Sequence, residues 1–344
     1  MFSSPATFGK AKPGYAWKFP NDHGAHPAYR TEWWYYTGFL TDETGESYGF
    51  QLTFFRTGLK TAPETRSSFE PTSIYFAHFA VSDLAQKTFD YAEKTGRPGP
   101  GLAGAAEGKL KVWDEDWSAT YEPPGHRLRA SDDKYQLDLK VASGVAPVLH
   151  GQRGYSPKGE GQASEYYSLT RMAAVGTLTI NQVPRKVNGI SWMDHEFFTG
   201  DLPKDLKGWD WMGLTLSDGA QLMLYRMREK DGTVGTFSSG TLVEANGKQR
   251  ALGERDFTME PLQSWTSPRT KVAYPIRWRV TVPSVDLSFE ASAPLADQEL
   301  DTAKSTQVLY WEGPVFLKGT RGKRNVTGKG YLEMTGYDQA FGGF

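Results

Sequence analysis

The sequence predicts an all-β protein made of two successive antiparallel β-barrel domains, and three observations carry that prediction. Apolar and polar residues alternate with period two in segment after segment, glycine (37) and proline (20) interrupt almost every window of helical length, and Asn-Gly or Asp-Gly pairs recur along the chain. Such dipeptides easily adopt the positive φ that a two-residue antiparallel turn requires. A chain of 344 residues is more than twice the usual domain length, so the expected division is one barrel over residues 1–200 and a second over 201–344.

Residues 33–40, 48–55, 73–81, 136–141, 173–180 and 221–228 alternate cleanly and read as strands. Turns are expected at Asn188-Gly189, Asp218-Gly219, Asp231-Gly232 and Asn246-Gly247. Residues 294–304 are the one stretch that reads as a short helix. Residues 95–108 and 150–163 read as long glycine-rich loops, and in the second Arg153, Tyr155, Lys158 and Glu160 look placed to touch something. Closed barrels of about eight strands can hold a small ligand.

Lys and Arg total 39 against 40 Asp and Glu, for a net charge of −1 with the signs interspersed, which argues against nucleic acid or an anionic membrane surface as partner. Aromatic residues make up 14% of the chain while the whole hydrophobic fraction is 38%, so rings replace much of the aliphatic core. Rings suit half-buried strands and the walls of apolar pockets. The absence of cysteine excludes disulfides, thiolate metal sites and a cysteine nucleophile. No window offers the roughly 18 apolar residues of a membrane-spanning helix, and residues 1–19 have no apolar core of a signal peptide.

Two segments carry most of the chemistry. In EWWYYTGFL, Glu32, Trp34 and Tyr36 share one face of a strand and Trp33, Tyr35 and Thr37 the other, so both faces are aromatic. In GISWMDHEFF, Asp194, His195 and Glu196 stand among Trp192, Met193, Phe197 and Phe198, with Trp192, Asp194 and Glu196 on one face. Two carboxylates about 7 Å apart in an apolar setting let one keep a proton and serve as an acid, and Asp194 is the candidate. A fully satisfied structural network explains Asp194, His195 and Glu196 equally well, and a cap or ion pair explains Glu32. Among the six histidines only His23 and His26 form a close pair, too little for a metal site. Arg171, Arg226 and Arg228 follow aromatic runs and are expected to stack. No G-x-S-x-G elbow, Walker loop or dinucleotide fingerprint occurs, which weakens the hydrolase and nucleotide readings, and no cofactor is expected.

The segments EWWYYTGFL, SEYYSLTR, GISWMDHEFF, GWDWMGLTLSDG, VAYPIRW and GKGYLEMTGY together resemble the AttH-like and carotenoid 1,2-hydratase (hydroxyneurosporene synthase) family of lipocalin-like proteins, over residues 29–337. The resemblance implies two calycin-like barrels with the WMDHEF segment near their junction. It also implies an apolar pocket lined by Trp33, Trp34, Tyr35, Tyr36, Tyr166, Trp192, Trp209 and Trp211. In this scheme Asp194 protonates a double bond, Trp192 and Trp34 stabilise the cation, and Glu32 or His195 positions water, with Glu196 beside them. The implied role is binding an isoprenoid or lipid in the bacterial envelope, in an extracytoplasmic location and with an envelope transport component or membrane as partner. The alternatives are a cofactor-independent hydratase or cyclase, and a scaffold without a pocket.

Overall fold

The computed structural model describes residues 8–59, 71–99, 101–200 and 203–342. The protein is nearly all β, with one nearly closed barrel sheet and one half-barrel sheet. Helical structure among the described residues is confined to the single turns Asn21–His23, Glu254–Asp256 and Pro283–Val285.

Among the described residues, the thirteen strands of the first sheet come from residues 31–198 and the ten of the second from residues 206–335. At the centre of the first, Val183–Phe198 lies between Thr31–Asp42 and Gln162–Ile180, antiparallel to both. Its two outer strands are Thr88–Gly96 and Ala103–Ala105, and a bridge from Pro98 to Ala103 brings these ends together. In the second sheet, Leu206–Leu216 lies between Gln221–Glu229 and Arg324–Thr335, with Leu309–Arg321 beyond the latter.

All six alternating segments fall within strands, and Gly219, Gly232 and Gly247 turn with positive φ where turns are expected. Asn188-Gly189 is not a turn. It pairs with Thr41 and Leu40 on one side and with Val175 and Ala174 on the other. The hairpin turns instead at Asn181 and Gln182, both with positive φ. Gly189 is a glycine because a Cβ there would sit 1.8 Å from the Phe39 carbonyl oxygen of the next strand.

Residues 294–304 form no helix. The segment spends its hydrogen-bonding groups on neighbours: Gln298 O accepts from the Glu312 amide, Gln298 Oε1 accepts from Ser82, and Glu299 accepts from Ser267 and Thr270. Its one regular piece is the short strand Glu299–Asp301. The two long loops are likewise partly strand. Ala103–Ala105 pairs with Lys111–Asp114, and Tyr155–Gly159 folds back onto Gln162–Ile180.

The doubly aromatic strand is explained by its position between two packed layers. Trp34, Tyr36 and Leu40 fill the first barrel with Phe50, Phe54 and Trp117. From the opposite face Tyr35 and Phe39 join Tyr166 and Trp192, and these pack against Trp211, Met223, Tyr225 and Tyr331 of the second sheet. The layer between the sheets is therefore an apolar core built from both halves of the chain.

Candidate active site

Glu32 and His195 lie on the inner face of the first sheet and belong to a saturated ion-pair network. Glu32, fully buried, accepts from the His26 amide, faces His26 Nδ1 at 2.8 Å and His195 Nε2 at 2.8 Å, and pairs with Arg56 Nε at 3.1 Å. Burial works against its charge, but the bonds to His195 and His26 and the Arg56 guanidinium hold its pKa well below the usual carboxylate range. Burial keeps His195 neutral, and its Nδ1 lies 3.0 Å from the Tyr167 hydroxyl. His26, Glu32 and His195 bring three potential ligand atoms within 4.8 Å of one another. Arg56 on Glu32 and Tyr167 on His195 give two of these groups further partners within the protein. His23 faces Tyr167 at 2.7 Å and does not converge with His26.

On the other face of the same strand, one residue away, Asp194 borders a cavity of about 240 Å³ between the two sheets. The Trp192 indole donates to Asp194 Oδ1 at 2.6 Å, Ser168 donates to the same oxygen, and the Tyr166 hydroxyl donates to Oδ2 at 2.5 Å. His150 Nε2 backs Ser168 at 2.6 Å, and Trp211 Nε1 donates to the Tyr166 hydroxyl at 3.2 Å. Burial raises the Asp194 pKa to about 7 even though Ser168, Tyr166 and Trp192 all favour the ionised form. Near neutral pH this carboxyl carries a proton part of the time.

Glu196, two residues on and on the same wall, accepts from Ser164 at 2.5 Å and from Lys158 Nζ at 3.0 Å. The Lys158 ammonium also lies over the Tyr225 ring, 4.1 Å from its centroid. Burial opposes its charge, but Glu196 and Tyr225 raise its pKa above the ordinary lysine value. Lys158 is brought here by the short strand Tyr155–Gly159.

The second sheet supplies the opposite wall. Glu312 and Glu333 are register partners on adjacent strands. Glu312 Oε1 accepts from the Tyr35 hydroxyl at 2.5 Å, and Glu333 Oε1 accepts from Trp209 Nε1 at 3.1 Å. Burial raises the pKa of both carboxyls, and the neighbouring Glu333 raises Glu312 further. Sequence reading missed this pair. The available signal was a glutamate in phase with aromatic residues, Tyr310 with Glu312 and Tyr331 with Glu333.

Of the residues expected at the site, Asp194, Glu196, Trp33, Tyr35, Tyr166, Trp209 and Trp211 all border the cavity. Trp192 stands behind Asp194 as its hydrogen-bond donor and packs edge-on against Trp211. Trp34, Tyr36, Glu32 and His195 do not reach the cavity, because strand alternation turns them into the first barrel. There Trp34 Nε1 donates to the His23 carbonyl, and Tyr36 faces His126. Trp34 therefore cannot stabilise a cation beside Asp194, and neither Glu32 nor His195 can hold its water. Arg226 stacks on Trp278 and Arg228 on Tyr337, while Arg171 binds the Gly219 carbonyl.

The fold and cavity define a two-sheet lipocalin-like protein with buried acids between its sheets. A family model described as AttH-like matches residues 10–337, and the chain belongs to that family. The crystal structure of a putative AttH protein from Nitrosomonas europaea is 33% identical, with a TM-score of 0.86 over 96% of this chain and 100% of that one. Kievitone hydratase from Nectria haematococca shares the fold at 16% identity, with a TM-score of 0.75 over 97% and 98% of the two chains. CghA bound to Sch210972 shares it more distantly, at 13% identity and a TM-score of 0.54 over 94% of each chain. Among curated proteins none matches significantly.

Proposed function

We propose that this protein protonates a carbon–carbon double bond in a mostly apolar ligand, an isoprenoid or other lipid, and so adds water or closes a ring without a cofactor. The observation that carries this reading is Asp194, a buried carboxyl on the wall of a cavity lined by several aromatic rings, with its pKa raised to about 7. An acid of that pKa combines a protonated population at neutral pH with a useful driving force for transfer.

The electron pair of the double bond takes the Asp194 proton, forming a C–H bond and leaving a cation on the neighbouring carbon. The faces of Trp33, Tyr35 and Trp211, which border the cavity, are suited to stabilise that cation. Water then attacks the cation and its surplus proton returns to the Asp194 carboxylate, so the net change is addition of one water. In ring closure a second double bond attacks instead, and the proton returned to Asp194 is lost from carbon. Tyr166, which accepts from Trp211 and lies 2.5 Å from Asp194, can relay the proton. A volume of about 240 Å³ falls below the ~300–1,000 Å³ typical of pockets for drug-sized ligands, so a long chain would enter by its reacting end. A hydratase with the same fold supports the reading as analogy.

The second reading, ligand binding without turnover, is favoured by the three donors that already satisfy the Asp194 carboxylate. Incubation with short isoprenoid alkenes in heavy water separates the two. Deuterium incorporated at carbon, detected by mass spectrometry and abolished in Asp194→Asn, supports protonation. Uptake unchanged in that variant would discard Asp194 as the acid, and bound but unlabelled ligand would leave a binder.

A further inference from the structure

We infer that the ligand of this cavity carries a hydroxyl group, held between Gln51 and Glu312 on the side of the cavity formed where the two sheets meet. The inference rests on the reading of the cavity as a ligand site and adds the chemical class of the ligand. Both side chains are 2% exposed, both border the cavity, and each is anchored through one of its two polar atoms. Gln51 Nε2 donates to Thr53 at 2.6 Å, and Glu312 Oε1 accepts from Tyr35 at 2.5 Å. The remaining atoms, Gln51 Oε1 and Glu312 Oε2, are buried and have no hydrogen-bond partner among the described residues. Thr53 and Tyr35, the two anchors, are themselves register partners on adjacent strands, and both border the same cavity.

Leaving such atoms unpaired costs free energy in a buried setting, and a bound group that satisfies them is selected accordingly. Gln51 Oε1 can only accept. Glu312 is kept neutral by burial and by the Glu333 carboxyl beside it, so its free oxygen can donate. A ligand carbonyl would satisfy Glu312 alone and an ammonium Gln51 alone. A hydroxyl donates to one and accepts from the other.

Calorimetric titration of the full chain with matched probes tests this. Thymol against cymene compares a phenol with its hydrocarbon, and geraniol against myrcene does the same for an alcohol. The inference predicts at least tenfold tighter binding of one or both hydroxyl probes than of the matched hydrocarbon, and the pair that shows it tells phenol from alcohol. Glu312→Met and Gln51→Met should each reduce that preference at least threefold, with Glu312→Gln retaining more of it than Glu312→Met. Circular dichroism checks that each variant is folded. Equal affinity within both pairs, with binding lost in the cavity-filling variant Ala163→Trp, overturns the inference and leaves the cavity reading intact. No binding by any of the four probes overturns both.

Discussion

The Tyr35 hydroxyl reaches from the first sheet to Glu312 of the second at 2.5 Å and so ties together two residues that are 277 positions apart in the chain. This contact joins the two walls of the cavity at a carboxyl that has no other side-chain partner among the described residues. Cavity shape and sheet packing are therefore coupled at this phenol, as they also are where Trp211 donates to Tyr166.

Tyr35→Phe removes that tie and leaves both Glu312 oxygens buried without a partner. The expected cost is about 1–3 kcal/mol, the usual range for an orphaned buried polar group. Urea unfolding should show a lower midpoint with an unchanged slope. A midpoint equal to the wild type would show that the sheets do not depend on this contact.

Glu32→Gln should destabilise the fold by about 3–5 kcal/mol, because Arg56 is then left buried without its counter-charge. Ligand affinity should stay within about twofold wherever the variant remains folded, since Glu32 faces the barrel interior. The wild-type pH profile carries the same sign. The Glu32 pKa lies below its ordinary value of 4.5, so its contribution is present above that pH and is lost as pH falls toward the folded-state pKa. A variant of native stability that no longer binds ligand would return Glu32 to the site.

Lys158→Met strips Glu196 of its ion-pair partner on the cavity wall. A stability loss of about 2–4 kcal/mol is expected, because Glu196 is left buried without its counter-charge. Thermal melts should show the deficit in Lys158→Met and a smaller one in Lys158→Arg, which keeps the charge. An equal deficit in Lys158→Arg would mean that packing, and not the pair, sets the role of Lys158.

Much of this was legible in the sequence, and the misses share causes. Period-two alternation marked the strands and placed Trp192, Asp194 and Glu196 on one face, where the structure has them. The same alternation assigned Trp34 and Trp33 to opposite faces, but it could not say which face meets the cavity. That depends on the second sheet packing outside the first barrel, a contact between residues far apart in sequence. Glu312 and Glu333 were overlooked for the same reason, because each is an isolated carboxylate until strand register sets them opposite one another. The turn at Asn181-Gln182 lacks the glycine that marks most such turns, whereas Asn188-Gly189 has it for close backbone approach.

Asp194→Asn should stabilise the protein above neutral pH by a net of about 2 kcal/mol: a pKa moved from 3.8 to about 7 is worth about 4 kcal/mol, offset by about 1–3 kcal/mol for a Tyr166 proton that loses its acceptor. The folded-state pKa of about 7 stands above the ordinary 3.8. The carboxyl therefore favours folding most below 3.8, and that contribution is lost as pH rises through about 7. Asparagine can accept from Trp192 and Ser168 through its oxygen, while its amide donates to the Tyr166 oxygen in place of the bond that Tyr166 donated to Asp194. Chemical denaturation at pH 6 and pH 9 tests this, with the variant's advantage expected to be larger at the higher pH.

The proton transfer proposed for the cavity between the sheets depends on Asp194 holding a proton near neutral pH. Carboxyl-carbon NMR of isotope-labelled aspartate, assigned with Asp194→Asn, measures this directly. A titration midpoint close to 7 is expected for this one resonance; a midpoint below about 5, in the range of exposed aspartates, would mean that Asp194 holds no such proton.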